Sequence, residues 1–184
     1  IAIAGPKARE VVAGVVQGID LSNEAFPFMA VSDCLAAGVP ARLFRISFSG
    51  ELAYEIAMPA GYAAQVWRAV LAAGAPHGIE PYGVEALGLL RIEKGHVAGS
   101  ELNGQTTAQD LGLGRMLKKK GDFIGRVLAQ RPGMTDPSRP RLVGLRSADP
   151  ARQIRAGCHL IVDGRSQGWI SSATQSVVDP GWIG

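Results

Sequence analysis

The chain has 184 residues, 47% of them hydrophobic and 19% charged, enough for one ordinary core or two small ones. Nineteen basic residues stand among sixteen acidic ones for a formal charge of +3, and this scattered balance excludes the basic stripe of a nucleic-acid binder. No apolar run approaches the ~20 residues that a membrane-spanning helix needs.

Cys34 and Cys158 lie far apart and have no partners at ligand spacing, so they read as free thiols of a reducing, cytoplasmic compartment rather than as a disulfide. The chain opens on Ile1 within an apolar run and closes on DPGWIG, which reads as a piece of a longer polypeptide. On that reading the last strand ends at Gly184 without a partner, and its open edge is expected to pair between chains.

In chain order, Ile1 to Ala4 reads as a short buried strand. Gly5-Pro6 then opens a helix that closes at Gly18, with Val11, Val12, Val15 and Val16 on its inner side. A loop follows, then a short strand at Phe28 to Val31. Arg42 to Phe48 and Leu52 to Ala57 predict two strands joined tightly at Ser49-Gly50-Glu51. Helices are expected over Tyr62–Ala73 and Tyr82–Glu93, the first ended by Gly74 and Pro76. The basic run Lys118-Lys119-Lys120 reads as a solvated turn. Pro132, Pro137 and Pro140 mark 131–141 as a linker between an α+β lobe, 1–130, and a β lobe, 142–184. In the β lobe, strands are expected at Leu142 to Leu145, His159 to Val162 and Gly168 to Ser172, with a turn at Asp163-Gly164. The fold class is α+β, helices on one sheet face.

Chemistry concentrates in Glu51 to Ala57. Side chains on a strand alternate between faces, so Leu52, Tyr54 and Ile56 share one face and Glu51, Ala53, Glu55 and Ala57 the other. Alanines beside a carboxylate leave a slot, and its two coplanar acceptors match the paired N–H donors of an aminopyrimidine edge. Two readings of Glu55 fit the pattern: a ligand-holding carboxylate, or a charge on a solvated strand face. Glu51, beside Gly50, fits a turn. Arg91 and Glu93 lie two apart on a helix and do not face each other; ligand-holding charges and structural ion pairs with groups elsewhere both fit, the second being the commoner outcome at a helix end. His77, His96 and His159 have neither ligand spacing nor a nucleophile nearby, and Gly112-Leu113-Gly114 lacks the third glycine of a dinucleotide fingerprint.

FSGELAYEI, Phe48 to Ile56, resembles the glycine-tyrosine-threonine-glycine-glutamate signature of the aminomethyltransferase family, which includes the T-protein of the glycine cleavage system. LLRIEKG, Leu89 to Gly95, resembles the family's leucine-arginine-leucine-glutamate-x-glycine segment. The likeness continues through 106–117, 121–126 and 168–176 and so covers essentially the whole chain. Within the family, FPFMAV, LFRISFSGELAYEI, RIEKGHVAG and ELNGQTTAQDLGLGRM are most similar to the C-terminal folate-binding region of sarcosine oxidase alpha subunits.

The resemblance implies an aminomethyltransferase-like α+β fold followed by a small β-barrel-like lobe, with tetrahydrofolate held at the centre of three lobes. It gives Glu55 the pterin ring, places Phe48 and Tyr54 near that ring, and adds Arg91 to the cofactor-binding set. The one-carbon unit from sarcosine oxidation would leave as methylenetetrahydrofolate. FAD, FMN and NAD are expected elsewhere in a complex with other sarcosine oxidase subunits. The alternatives are a glycine-cleavage aminomethyltransferase or a non-catalytic scaffold of the same fold that binds subunits.

Departures from the family accompany these expectations. Phe48 lacks the hydroxyl of the family's tyrosine. Leu87 stands where T-proteins carry an arginine for the folate tail, which favours the oxidase branch. Ser171 to Val177 departs from the family's threonine-serine-glycine-x-x-serine-proline turn. The family's catalytic aspartate is expected upstream of Ile1.

Overall fold

The computed structural model describes residues 1–118 and 121–184, and of Lys118 the backbone only. The turn expected at Lys118-Lys119-Lys120 therefore lies outside the described residues. The chain resolves into two units, Ile1–Leu90 and Arg91–Gly184.

The first unit is a five-stranded antiparallel sheet with helices on one face. Its strands are β1 (Ala2–Ala4), β2 (Val16–Gln17), β3 (Val31–Ala36), β4 (Val39–Phe44) and β5 (Ala53–Ala57), in the spatial order β1-β5-β4-β3-β2. Helix α1 (Ala8–Ala13) packs against β5 and against α2 (Ala63–Gly74), and α3 (Val84–Lys94) begins in this unit.

Alternation places Val39 and Leu43 of β4, Tyr54 and Ile56 of β5 and Ile3 of β1 on the helix side. There they join Val11, Val12, Val66 and Val70 in one buried cluster. Burying a side chain of this kind is worth about 1.5–3 kcal/mol, so the cluster fixes the register of β5 strongly.

Several elements differ from expectation for identifiable reasons. The first helix stops at Ala13. Gly14 continues its hydrogen bonding for one residue, and Val16 then turns into β2, pairing with Ala36. Val15 and Val16 are core residues as expected, but not from a helix.

The strand expected at Phe28 to Val31 begins at Val31 instead, because Met29 takes the left-handed conformation at φ 71°. β3 and β4 are joined by Ala37-Gly38, both at positive φ (49° and 78°), the geometry of a tight hairpin that matches strand twist. The connection expected to be tight, between β4 and β5, is the longer stretch 45–52. In it the Ser49 hydroxyl donates to the Glu51 carboxylate, and the Gly50 N–H donates to Ser47 Oγ at 2.8 Å. Glu51 is thus a turn residue, and the strand starts only at Ala53.

In the second unit, β6 (His159–Val162) and β7 (Arg165–Trp169) form a hairpin through Asp163-Gly164, again with both residues at positive φ. β8 (Thr174–Gln175) pairs with β9 (Trp182–Ile183). Leu142 to Leu145 forms no strand; instead Leu145 and Ser147 bond the backbone of Trp182 and Gly184.

The open edge expected at Gly184 is consequently closed. Gly184 donates to and accepts from Leu145, while Thr174 and Gln175 occupy the other side of β9.

The proline-rich stretch 131–141, expected to link two lobes, lies inside this unit and carries α5 (Pro132–Thr135), just after α4 (Arg126–Ala129). Arg139 secures it. Its guanidinium lies 2.6 Å from Asp110 Oδ2 and donates to the Gln105 carbonyl at 2.7 Å. Among the described residues no helix is long and apolar enough to cross a membrane.

Candidate functional site

Because Tyr54 and Ile56 are 0% and 1% exposed beneath the helices, Glu55 is forced onto the other face of the sheet. Register then fixes its neighbours. Ala2 of β1 lies opposite Glu55 on one side and Phe44 of β4 on the other, and Val31 of β3 lies opposite Phe44. One row across four strands reads Ala2, Glu55, Phe44, Val31.

Ile1 and Ile56 exchange both backbone hydrogen bonds, at 2.8 and 2.9 Å. Alternation along β5 therefore makes Ala2–Glu55 the pair without ladder bonds, in which opposed side chains stand closest, and Glu55–Phe44 the bonded pair. The adjoining row holds Ala4 and Ala53.

Glu55 is half-buried. Among the described residues its carboxylate has no hydrogen-bond or ion-pair partner. Arg42, diagonal to it on the same face, is committed to Asp33 at 3.0 Å. A partly desolvated carboxylate with free acceptors, beside small side chains, suits a planar donor such as an aminopyrimidine edge. These residues fit the group that the sequence resemblance implies.

A cavity of about 220 Å³ is lined by all of β1, including the helix-side residue Ile3, and by Trp67, Val70, Tyr82 and Leu87. Burial, with the Glu51 charge as a second cause, pushes the Tyr82 phenol above its ordinary value.

The other residues singled out from the sequence have different surroundings. Tyr54, expected near the ring, is wholly buried on the helix side. Its ring stacks on Phe26 with centroids 6.4 Å apart, and its hydroxyl accepts from Arg9 Nε at 3.1 Å. It supports the strand from beneath, because the alternation that exposes Glu55 buries Tyr54. Phe48 is half-buried in the 45–52 connection.

Arg91 belongs to the second unit and is engaged there. It donates to Glu101 Oε2 at 3.0 Å and to Ser172 Oγ at 2.7 Å, and Ser172 in turn donates to Glu101 Oε1. Glu93 accepts from Ser176 Oγ at 2.8 Å and from the Val177 N–H at 2.7 Å, which anchors the segment where the family turn is altered. Arg91 is thus in an ion pair, whereas Glu93 is held by hydrogen bonds and has no ion pair among the described residues.

Two carboxylates escaped the sequence reading. Glu101 is 5% exposed. Burial pushes its pKa up, yet hydrogen bonds from Ser172 and the Ala98 N–H, with the Arg91 charge, bring it down to about 2. Asp110 is held at about 2 chiefly by the Arg139 hydrogen bonds, against the cost of burial. The Thr107 and Asp110 side chains also accept from each other's backbone N–H. The Thr-x-x-Asp spacing at Thr107 was a readable signal for this reciprocal cap. Nothing local announces the Glu101 cluster, since Ser172 lies seventy-one positions away.

The curled antiparallel sheet backed by helices defines an α+β class of domain. Residues 1–121 match the family model described as the GCVT N-terminal domain, and the chain belongs to that family. It is 47% identical to sarcosine oxidase subunit alpha of Rhizobium meliloti (strain 1021), over 96% of this chain and 19% of that protein. The subunit of the same name from Corynebacterium sp. (strain P-1) is 40% identical over the same shares. An aminomethyltransferase of Streptomyces avermitilis is 34% identical over 96% of this chain and 48% of that protein. The chain thus spans about a fifth of the oxidase subunits and about half of the aminomethyltransferase.

Proposed function

We propose that this chain is the tetrahydrofolate-binding region of a sarcosine oxidase alpha subunit, cytoplasmic and associated with other subunits of that enzyme. One observation carries the reading: Glu55 is half-buried, has no partner among the described residues, and stands on a sheet face beside Ala2 and Ala53 in a chain of the GCVT family. The oxidase branch is favoured over the aminomethyltransferase branch by identities of 47% and 40% against 34%.

Bound tetrahydrofolate would supply the nitrogens that accept the one-carbon unit released from sarcosine, giving methylenetetrahydrofolate. The chain's own contribution is positioning. Glu55 accepts paired N–H donors of the pterin, each such bond worth about 1.5–3 kcal/mol. Phe48 packs near the ring. Tyr54, from beneath, holds the strand that presents Glu55, and Arg91 joins the cofactor-binding set only as the sequence resemblance implies. No residue of this chain is assigned the proton transfer, and FAD, FMN and NAD are assigned to other parts of the full enzyme.

The reading predicts where the carbon goes. In the full-length enzyme supplied with sarcosine and tetrahydrofolate, Glu55→Ala leaves sarcosine-dependent oxygen uptake intact. The product shifts from methylenetetrahydrofolate to formaldehyde, which trapping reagents quantify. An unchanged product ratio at limiting tetrahydrofolate contradicts the proposal.

A further inference from the structure

We propose that Asn103-Gly104 is a modification site, at which the asparagine amide is converted through a succinimide chiefly to isoaspartate, with aspartate as the minor product. Asparagine is among the thermolabile side chains, and the reaction needs only water. The Gly104 amide nitrogen gives its proton to solvent base and bonds to Asn103 Cγ, the Cγ–Nδ2 bond breaks, and ammonia leaves. Water then opens the ring at one of its two carbonyls. One water is consumed and one ammonia released, and nothing is oxidised or reduced.

The geometry of the turn favours each step. Gly104 has no Cβ to hinder attack by its own nitrogen, and both residues are exposed. Among the described residues the Gly104 N–H donates to no acceptor, so no hydrogen bond opposes loss of its proton. The Asn103 side chain is folded over the following peptide in an Asx turn. Its Oδ1 accepts from the Gln105 N–H at 2.9 Å, which draws electrons from Cγ. The leaving nitrogen is held only by a long bond to the Ser100 carbonyl, at 3.3 Å. The Asn103 backbone carbonyl accepts from Thr106 Oγ1 at 3.1 Å and from the Thr106 N–H at 3.3 Å. Once the ring has formed, these donors polarise that carbonyl, and water attack there yields isoaspartate.

Isoaspartate carries the chain through the side-chain carbon and lengthens the turn by one backbone carbon. From this turn the Thr106 hydroxyl donates to the Glu101 carbonyl at 2.9 Å, so the change loosens the segment that presents Glu101 to Arg91. The chain also supplies its own comparison. Asn23, the other asparagine, precedes Glu24, whose Cβ crowds the attacking nitrogen.

The test is to age the full-length enzyme at mildly alkaline pH in oxygen-18 water and to map its peptides by mass spectrometry, with isoaspartyl methyltransferase as the probe for isoaspartate. Label is expected at residue 103 well before residue 23, with isoaspartate in excess of aspartate, and at least as fast as in a free peptide of residues 99–108. Gly104→Ala should slow the reaction about tenfold or more through its added Cβ. The alanine fits, because Gly104 has no positive φ and a Cβ there meets nothing within 4 Å. Asn103→Ser, which has no amide to lose, should keep its melting temperature on ageing while that of the wild type falls. Equal labelling at residues 23 and 103, a native rate far below that of the peptide, aspartate in excess, or an unchanged rate in folded Gly104→Ala overturns the proposal.

Discussion

At Arg91 the commoner fate of a helix-end charge and the family resemblance point in different directions, and the contacts lie with the first. The guanidinium is 15% exposed, the carboxylate of Glu101 4%, and the two are joined directly and through Ser172. Removing one partner of such a pair leaves a buried charge uncompensated and costs about 3–5 kcal/mol. Glu101→Ala is expected to destabilise by that amount in urea unfolding, whereas the apolar double replacement Arg91→Met with Glu101→Leu recovers most of it. A double variant no better than Glu101→Ala contradicts the assignment of Arg91 to structure. Glu55 is the opposite case. Its immediate surroundings were legible from strand period alone, because the core needs Tyr54 and Ile56 so strongly that the intervening side chain has no choice of face.

Among elements, legibility followed the range of the interactions. β6 begins at His159 and ends at Val162 as its apolar run predicts, and its Asp163-Gly164 turn lies where the sequence puts it. α2 and α3 fall within a residue or two of their predicted ends. β3 was not legible. Its Val-Ser-Asp-Cys-Leu-Ala carries mixed polarity on both faces, and pairing with β4 makes it a strand.

The tight Ala37-Gly38 hairpin was missed because alanine is a poor signal for a position at φ 49°. Ala37→Asn suits that conformation better and is expected to raise stability by about 0.5–1 kcal/mol. A lowered midpoint in chemical denaturation counts against the turn geometry. Gly74, at the end of α2, shows the converse. A Cβ there would stand 2.5 Å from Ile79 Cγ2, so Gly74→Ala is expected to cost about 1–3 kcal/mol, and Ile79→Val in the same chain returns part of it.

For the whole molecule, the two buried carboxylates set the acid limit of the second unit. Glu101 and Asp110 both titrate near 2 when folded, against about 4.3 and 3.9 in an unfolded chain. Depressed folded values mean that their contribution is complete above the unfolded values and is lost as pH falls toward about 2. Unfolding of this unit followed by Trp169 and Trp182 fluorescence should therefore weaken progressively below about pH 4.5, and Asp110→Asn with Glu101→Gln should flatten that dependence.

The proposed folate site depends on the Glu55 carboxylate gripping a reduced pterin. Equilibrium binding of tetrahydrofolate to the full-length protein, wild type against Glu55→Gln, tests it most directly. The amide preserves size but replaces one acceptor by a donor, and about a 10–100-fold loss of affinity is expected. Equal affinities in the two proteins would contradict it.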